Sequence, residues 1–203
     1  MRLHSVPHCL LAAVVVTLML AALSGCQRED ASRTAASTNP TALKEPQTGL
    51  DFPRITIFNQ RSYEAVHTST LDTRVLGIHT YSAGVGYYVE TGSWSASGDA
   101  KQQLLVRKVP KLLVLGFVRN TPSSSLRELF WDSINARMPE AYKPENERDI
   151  RAVINGFEDL QRGDVIQFVW LPNGELEMLV KKTTRAKLTN AALAWTIWGL
   201  FLP

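Results

Sequence analysis

The chain is poor in the residues that most metal and nucleophile sites require. It has two cysteines and four histidines among 203 residues. Paired-cysteine motifs, His-rich clusters, glycine-rich phosphate loops and nucleophile elbows are all missing, and no serine stands in a recognisable triad order. These absences exclude the common zinc sites, P-loop chemistry and α/β-hydrolase chemistry. We expect no metal and no cofactor.

The first cysteine lies in an N-terminal segment that the sequence predicts to be removed. Residues 1–25 begin with a basic residue, Arg2, and continue with an apolar run from Cys9 to Leu23. The run is too short for a membrane-spanning helix and ends in small residues, which indicates a cleaved export signal. The remaining chain then keeps one cysteine, so an intramolecular disulfide is excluded.

The end of this signal, Leu23-Ser24-Gly25-Cys26, resembles the lipobox of bacterial lipoproteins, in which the cysteine becomes the first residue and its thiol carries lipid. The resemblance implies that the membrane is a partner through Cys26, and several acyl chains give stable attachment. Gln27, in place of an aspartate, favours the outer membrane over the inner one, with the domain in the periplasm of the bacterial envelope. The alternative is an ordinary signal that happens to contain a cysteine, and unchanged palmitate labelling of Cys26→Ala would favour it.

Composition separates a tether from a domain. Residues 26–47 are predicted to be the lipidated cysteine and a flexible tether, because Ser, Thr, Ala, Asn, Pro and charges occur there without an apolar period. Residues 48–203 are predicted to form one domain, long enough for its own core. Basic residues cluster at 107–111 and 181–187. Such clusters are usually solvated strand ends, with an anionic membrane surface as the alternative. Nucleic acid is not an expected partner outside the cytoplasm.

The order of strands and helices in the domain predicts an α+β fold. Strands are expected in four segments before the helices: 52–58, part of 68–90, 101–109 and 111–120. Two helices follow, the first capped by a serine among 123–125 and the second carrying an apolar stripe from Ile150 to Leu160. A last helix is expected from about Thr189. This order predicts a curved, largely antiparallel β-sheet with a layer of α-helices on one face.

One later stretch carries a family resemblance. Residues 157–163 are predicted to end a helix at Gly163, Val165 to Leu171 is an apolar strand, and Pro172-Asn173-Gly174 is a turn into a return strand. Helix end, Gly-Asp, apolar strand and Pro-Asn-Gly turn in this order resemble the chalcone isomerase-like family, in particular its exported bacterial members. Gly86-Tyr87-Tyr88-Val89-Glu90 resembles the end of that family's long strand. The resemblance implies an open-faced sandwich with a ligand cleft between the sheet and the helices.

The resemblance also implies which side chains line that cleft. Arg74 matches the family's cleft arginine, and Thr196 matches its late-helix hydroxyl residue. An arginine at an apolar cleft needs an anionic partner, and its planar fork fits a carboxylate. Tyr81 and Tyr88 are the expected hydrogen-bonding helpers. The alternatives are an exposed arginine in a loop before a strand, and ordinary packing of the two tyrosines and the threonine.

Three functions remain open. The preferred one is a membrane-tethered domain that binds a hydrophobic small-molecule carboxylate, such as a fatty acid, without catalysis, because the catalytic set of plant chalcone isomerases is incomplete. Ala83 stands where the plant enzymes have a threonine, and their tyrosine has no counterpart. The second function is an intramolecular lyase of the chalcone-to-flavanone type, with Arg74 stabilising the enolate. The third is an envelope protein-interaction domain with a filled cleft. His67 and His79 are expected to be structural.

Overall fold

The computed structural model describes three ranges of the chain: 41–75, 78–95 and 99–202. It describes only the backbone of residues 73–75, 78–80 and 100. All described residues belong to one compact unit, Asn39–Pro203. The predicted signal, its lipidation site Cys26 and the first part of the predicted tether lie outside the described residues. Within the described ranges, no helix is long and apolar enough to cross a membrane.

The domain is built on a seven-stranded antiparallel sheet in which each strand pairs with its neighbours along the chain. A separate pair of short strands precedes it: β1 (Ala42–Lys44) and β2 (Asp51–Pro53). The strands of the large sheet are β3 (Ile55–Phe58), β4 (Arg61–Val75), β5 (Ile78–Glu90), β6 (Lys111–Phe117), β7 (Val165–Trp170), β8 (Glu175–Val180) and β9 (Thr183–Thr189). The pairing of β4 with β5 shifts register twice, after Ala65 and after Leu71, and such bulges increase twist. The sheet is curved.

The described residues of the domain also form four α-helices: α1 (Ala100–Val106), α2 (Ser123–Arg137), α3 (Lys143–Asn155) and α4 (Ala191–Leu200). The start of α4 is fixed by Asn190, whose side-chain oxygen accepts from the Leu193 amide at 2.9 Å. The side-chain nitrogen Nδ2 of Asn190 also donates to the side-chain oxygens of Asn146 and Asp149 in α3. Asn190 therefore caps the N-terminus of α4 and also connects α4 to α3 through hydrogen bonds.

The helices cover one face of the sheet because β5, β6 and β7 direct alternate side chains towards them. On β5 these are Ala83, Val85, Tyr87 and Val89, all buried. They belong to the main hydrophobic core, together with apolar residues of α2, α3 and α4. The intervening Tyr88 belongs to a second, smaller core on the opposite face. The predicted arrangement of a curved antiparallel sheet with helices on one face is confirmed.

The opposite face of the sheet is covered in part by the β1–β2 hairpin. Phe52 lies over Gly86, where an added Cβ would stand 2.4 Å from the phenyl ring. An added Cβ at Gly84 would stand 2.8 Å from Thr48 Oγ1. The absence of side chains at these two glycines therefore makes the room in which the hairpin packs.

Glu45 fixes the turn of this hairpin and joins it to the sheet. Its buried carboxylate accepts from the backbone amides of Gln47 and Thr48 and from the Thr48 and Thr70 hydroxyls. Burial alone would raise the pKa of Glu45, but these hydrogen bonds outweigh burial and lower it. The carboxylate therefore stabilises the fold above its unfolded-state pKa, and this contribution is lost as pH falls through the lower folded-state pKa.

The substitution Gly86→Ala is expected to displace the β1–β2 hairpin, because the new methyl group would overlap the Phe52 ring. Overpacking of this kind costs about 1–3 kcal/mol of unfolding free energy, which urea denaturation measures. Phe52→Ala removes the overlap, so the double variant should be no less stable than Phe52→Ala alone. If the two losses of unfolding free energy were additive, the packing of the Phe52 ring would not depend on the absence of a side chain at residue 86.

Four predictions about the elements are wrong. No serine among 123–125 caps α2: the helix begins at Ser123 after Pro122, and the Ser123 amide donates to Asp159 Oδ1 at 2.8 Å. Residues 101–109 do not form a strand: α1 occupies Ala100–Val106, because Asp99 accepts from the Lys101 amide and the following Gln and Leu residues favour helix. The second helix, α3, ends at Asn155 rather than near Leu160, which forms a β-bridge with Thr121 instead. The domain also begins before residue 48, since Ala42–Lys44 form β1 in the segment predicted as tether.

Candidate functional site

The helix-facing surface of the sheet carries a band of buried polar atoms without hydrogen-bond partners among the described residues. The band consists of Ser69 Oγ, His67 Nε2, Tyr87 OH, Lys111 Nζ and Trp198 Nε1. Buried polar groups are nearly always paired, so each exception needs an explanation such as a bound ligand or an ordered water. Five of them in one layer make this band the candidate site.

Strand register places the members of the band side by side. Tyr87 of β5 is paired with His67 of β4, and their ring centroids are 5.6 Å apart. On its other side Tyr87 is paired with Leu113, so Lys111 is its diagonal neighbour on β6. Diagonal neighbours have Cα atoms about 7–8 Å apart, within reach of long side chains. Trp198 contributes from α4, which packs on the same surface.

Burial controls the protonation of Tyr87 and His67. Burial raises the pKa of Tyr87 far above its ordinary value, and the nearby Ser69 hydroxyl and Arg137 charge oppose this only in part. Although Ser69 is close, neither hydroxyl reaches the other with hydrogen-bond geometry. Burial, together with the Lys101 charge, lowers the pKa of His67. Both rings are therefore neutral at pH 7, and Tyr87 retains an O–H that can donate to an anionic group.

Lys111 is the charged member of the band. The Lys111 side chain is buried, with the residue only 1% exposed. Its ammonium lies 4.0 Å from the centroid of the ring of Trp170, the residue paired with it on β7. No ion pair involving Lys111 occurs among the described residues, and burial lowers its pKa from 10.5 to about 8. A cation over an indole face is stabilised, but an ammonium with three unused donors is still poorly solvated.

A cavity of about 360 Å³ opens at the Ser69 end of the band. Its apolar wall comes from α2, the end of α4 and one residue of β4: Leu71, Leu129, Phe130, Leu200, Phe201 and Leu202. The polar part of the wall contains one basic and one acidic side chain among its residues: Ser69, Thr70, Asp72, Ser133 and Arg137. Arg137 also donates a hydrogen bond to the Gly199 carbonyl, which joins α2 to α4. The cavity thus combines an apolar wall with a few polar and charged side chains of both signs, as ligand pockets commonly do.

A second cavity, of about 250 Å³, opens at the Lys111 end. Trp170 forms part of its wall, together with Leu105 and Val109 near α1 and with Trp195 of α4. Arg107 and Lys108 also line it, and no acidic residue lies among its described lining residues. The band therefore runs between two openings of the layer enclosed by the sheet and the helices.

Of the four sequence-predicted site residues, Thr196 and Tyr88 lie on opposite sides of the sheet. Thr196 is buried in α4, and its hydroxyl donates to the Ala192 carbonyl at 2.9 Å. Tyr88 is buried on the opposite face, at a cavity beneath the β1–β2 hairpin. Tyr81 is half-buried on β5. The backbone of Arg74 lies in β4, paired with His79, but the Arg74 side chain lies outside the described residues.

Tyr87, Lys111 and Arg137 are the groups that sequence reasoning missed. Strand alternation contains part of the signal: if Val85 and Val89 face the core, then Tyr87 does so too, and Tyr88 does not. A lysine at the start of the apolar strand Lys111-Leu112-Leu113 is a second sign of a buried polar group. The proximity of Arg137 to this band depends on how α2 packs, which no local pattern in the sequence reveals.

Comparisons with known proteins agree with the fold. No protein-family model matches the chain, and no curated protein matches it. Among solved structures, the crystal structure of a fatty-acid binding protein from Arabidopsis thaliana is similar, with a TM-score of 0.65 at 17% sequence identity. The similarity covers 78% of this chain and 87% of that chain. The fold is therefore chalcone isomerase-like.

Proposed function

We propose that the chain is a membrane-tethered bacterial envelope lipoprotein whose domain binds a hydrophobic carboxylate, such as a fatty acid, without catalysing a reaction. The observation that carries the binding proposal is the band of unpartnered polar atoms between two apolar openings. Tyr87 O–H, Lys111 ammonium and Trp198 N–H are donors, so the missing partner is an acceptor. A carboxylate is an acceptor with two oxygens, and an alkyl chain suits the apolar walls.

The fold supports this proposal without carrying it alone. The solved structure reported above is described as that of a fatty-acid binding protein. Its chain is similar to ours over most of both lengths, and the layer between sheet and helices is where our band lies. Lipid attachment at Cys26, the periplasmic location and the outer membrane remain proposals from the lipobox-like sequence.

The head-group clamp predicted at Arg74 remains a proposal, as the alternative to a head-group site within the band. Arg74 belongs to β4, the strand that contributes His67 and Ser69 to the band. If Arg74 holds the carboxylate, Arg74→Ala should weaken fatty-acid binding more than Arg54→Ala, which removes an exposed arginine outside the large sheet.

No specific observation favours the lyase or the protein-interaction domain. The Thr196 hydroxyl donates its proton to the Ala192 carbonyl within α4, so it does not donate to a substrate while that bond is present. A filled cleft would place Trp195 and Trp198 inward, but only Trp198 is buried, and Trp195 is 48% exposed. The binding proposal is tested by identifying what the purified chain carries, for which one hydrophobic carboxylate per chain is expected.

A further inference from the structure

We propose that Lys111, assisted by Trp198, is the group that receives the ligand's carboxylate, which makes Lys111 the specificity-determining residue of the site. This inference rests on the proposed function. Lys111 begins β6 in the interior of the domain, with a buried ammonium and no hydrogen-bond acceptor or ion-pair partner in the described parts of the chain. Evolution towards stability alone would favour an apolar residue at such a position.

Two independent donors meet around one indole ring. The Lys111 ammonium lies 4.0 Å from the centroid of the Trp170 ring. The Trp198 ring packs edge-on against the same indole, with centroids 5.5 Å apart. Trp198 Nε1 is also buried and has no acceptor in the described structure. A carboxylate has two oxygens, and we assign one to each nitrogen.

The other cations of the layer are less suited to this role. Arg137 is exposed, and its guanidinium donates to the Gly199 carbonyl. Arg107 donates to the Ser93 carbonyl and to Ser95, and it lies over the Trp94 ring. Their charges are thus partly solvated or hydrogen-bonded before any ligand binds. The Lys111 ammonium has neither solvent contact nor a hydrogen-bond acceptor within the described part of the protein. A bound anion therefore stabilises its charge more than it stabilises the charge of either arginine.

The opening beside Trp170 indicates how the ligand lies. Trp170 is half-buried and separates the 250 Å³ cavity from the Lys111 ammonium. Lys111 itself does not line this cavity, so inward binding requires the Trp170 ring to move aside. The carboxylate would then lie inward at Lys111, while the alkyl chain lies against Leu105, Val109 and Trp195. The positive rim at Arg107 and Lys108 favours the approach of an anion.

The experiment compares dodecanoate with dodecanol, which have the same chain length and differ in head-group charge. Both are titrated by calorimetry into the full chain held in amphipol, for the wild type, Lys111→Met and Lys44→Met. Lys111→Met is expected to lower dodecanoate affinity at least about tenfold, the effect of losing a hydrogen bond to a charged group. Dodecanol affinity should stay within about twofold. Lys44→Met, which removes an exposed lysine of β1 that lines none of the cavities described above, should change neither affinity.

A solely structural role for Lys111 would change both affinities together, and that result would overturn the assignment. Unchanged dodecanoate affinity in Lys111→Met would overturn it as well, while leaving the proposed function in place. If the wild type binds neither compound, the proposed function and this inference both fail. As a check on folding, Lys111→Met should give the same circular dichroism spectrum and cooperative unfolding as the wild type.

Discussion

Replacing Lys111 by methionine is expected to increase the free energy of unfolding by about 2 kcal/mol in the absence of ligand. Burial lowers the Lys111 pKa from 10.5 to about 8, which corresponds to about 3 kcal/mol of destabilisation of the charged form. Contact with the Trp170 ring offsets about 1 kcal/mol of this. Methionine has a similar length and no charge, so it keeps the packing and removes the penalty.

The gain in unfolding free energy of Lys111→Met over the wild type should decrease as pH rises. Below pH 8 the lysine is protonated in the folded and the unfolded state, so the full penalty is present. Between about pH 8 and pH 10.5 the unfolded state binds more protons than the folded state, so the stability of the wild type rises with pH. The difference between Lys111→Met and the wild type should therefore be largest below pH 8 and shrink as pH approaches 10.5.

Thermal unfolding at pH 7 and pH 10 measures both effects. At pH 7 the melting temperature of Lys111→Met should exceed that of the wild type by about 4–8 °C, the shift that 2 kcal/mol gives in a domain of this size. Lys108→Met is the matched control and should leave the melting temperature within about 2 °C. A lower melting temperature for Lys111→Met would show that the ammonium stabilises the fold through a partner not identified in the structure.

Phe130→Ala is expected to be the most destabilising single substitution of those considered, at about 4 kcal/mol. Phe130 is buried on α2, and its ring lies 4.6 Å from Phe157, 6.1 Å from Phe168 and 5.8 Å from Phe201, measured between centroids. These partners belong to the segment after α3, to β7 and to the residues after α4. One ring therefore joins the helical layer to the sheet.

The same ring lines the 360 Å³ cavity, so Phe130→Ala also enlarges that opening. Urea unfolding should give a midpoint well below that of the wild type, whereas Phe130→Leu should lose about 1.5 kcal/mol or less because it keeps most of the volume. Tyr142→Ala is the exposed aromatic control and should change stability by less than about 0.5 kcal/mol. A loss below about 1 kcal/mol for Phe130→Ala would mean that α2 repacks without its central ring.

Much of the fold could be predicted from the sequence because its main signals are local. The alternation of Val85, Tyr87 and Val89 and the Pro172-Asn173-Gly174 turn each reflect one strand or one turn. The strand predicted at 101–109 was wrong because a short amphipathic segment fits both periods, and Asp99 decides between them by capping the helix.

The site was less predictable because it depends on pairs of residues far apart in the chain. His67, Tyr87 and Lys111 become neighbours only through the register of β4, β5 and β6. Trp198 joins them only through the packing of α4. Sequence reasoning also searched for an arginine because the family resemblance implied one, whereas the buried cation of the described structure is a lysine.

The most direct test of the account is native mass spectrometry of the full chain as purified from a bacterial envelope, followed by solvent extraction of what it carries. Lys111→Met prepared in parallel is the control, since both proteins meet the same lipids. The account predicts one hydrophobic carboxylate per wild-type chain and a strongly reduced amount on Lys111→Met. A wild-type chain that carries no hydrophobic carboxylate, and that takes none up when fatty acids are supplied, would contradict it.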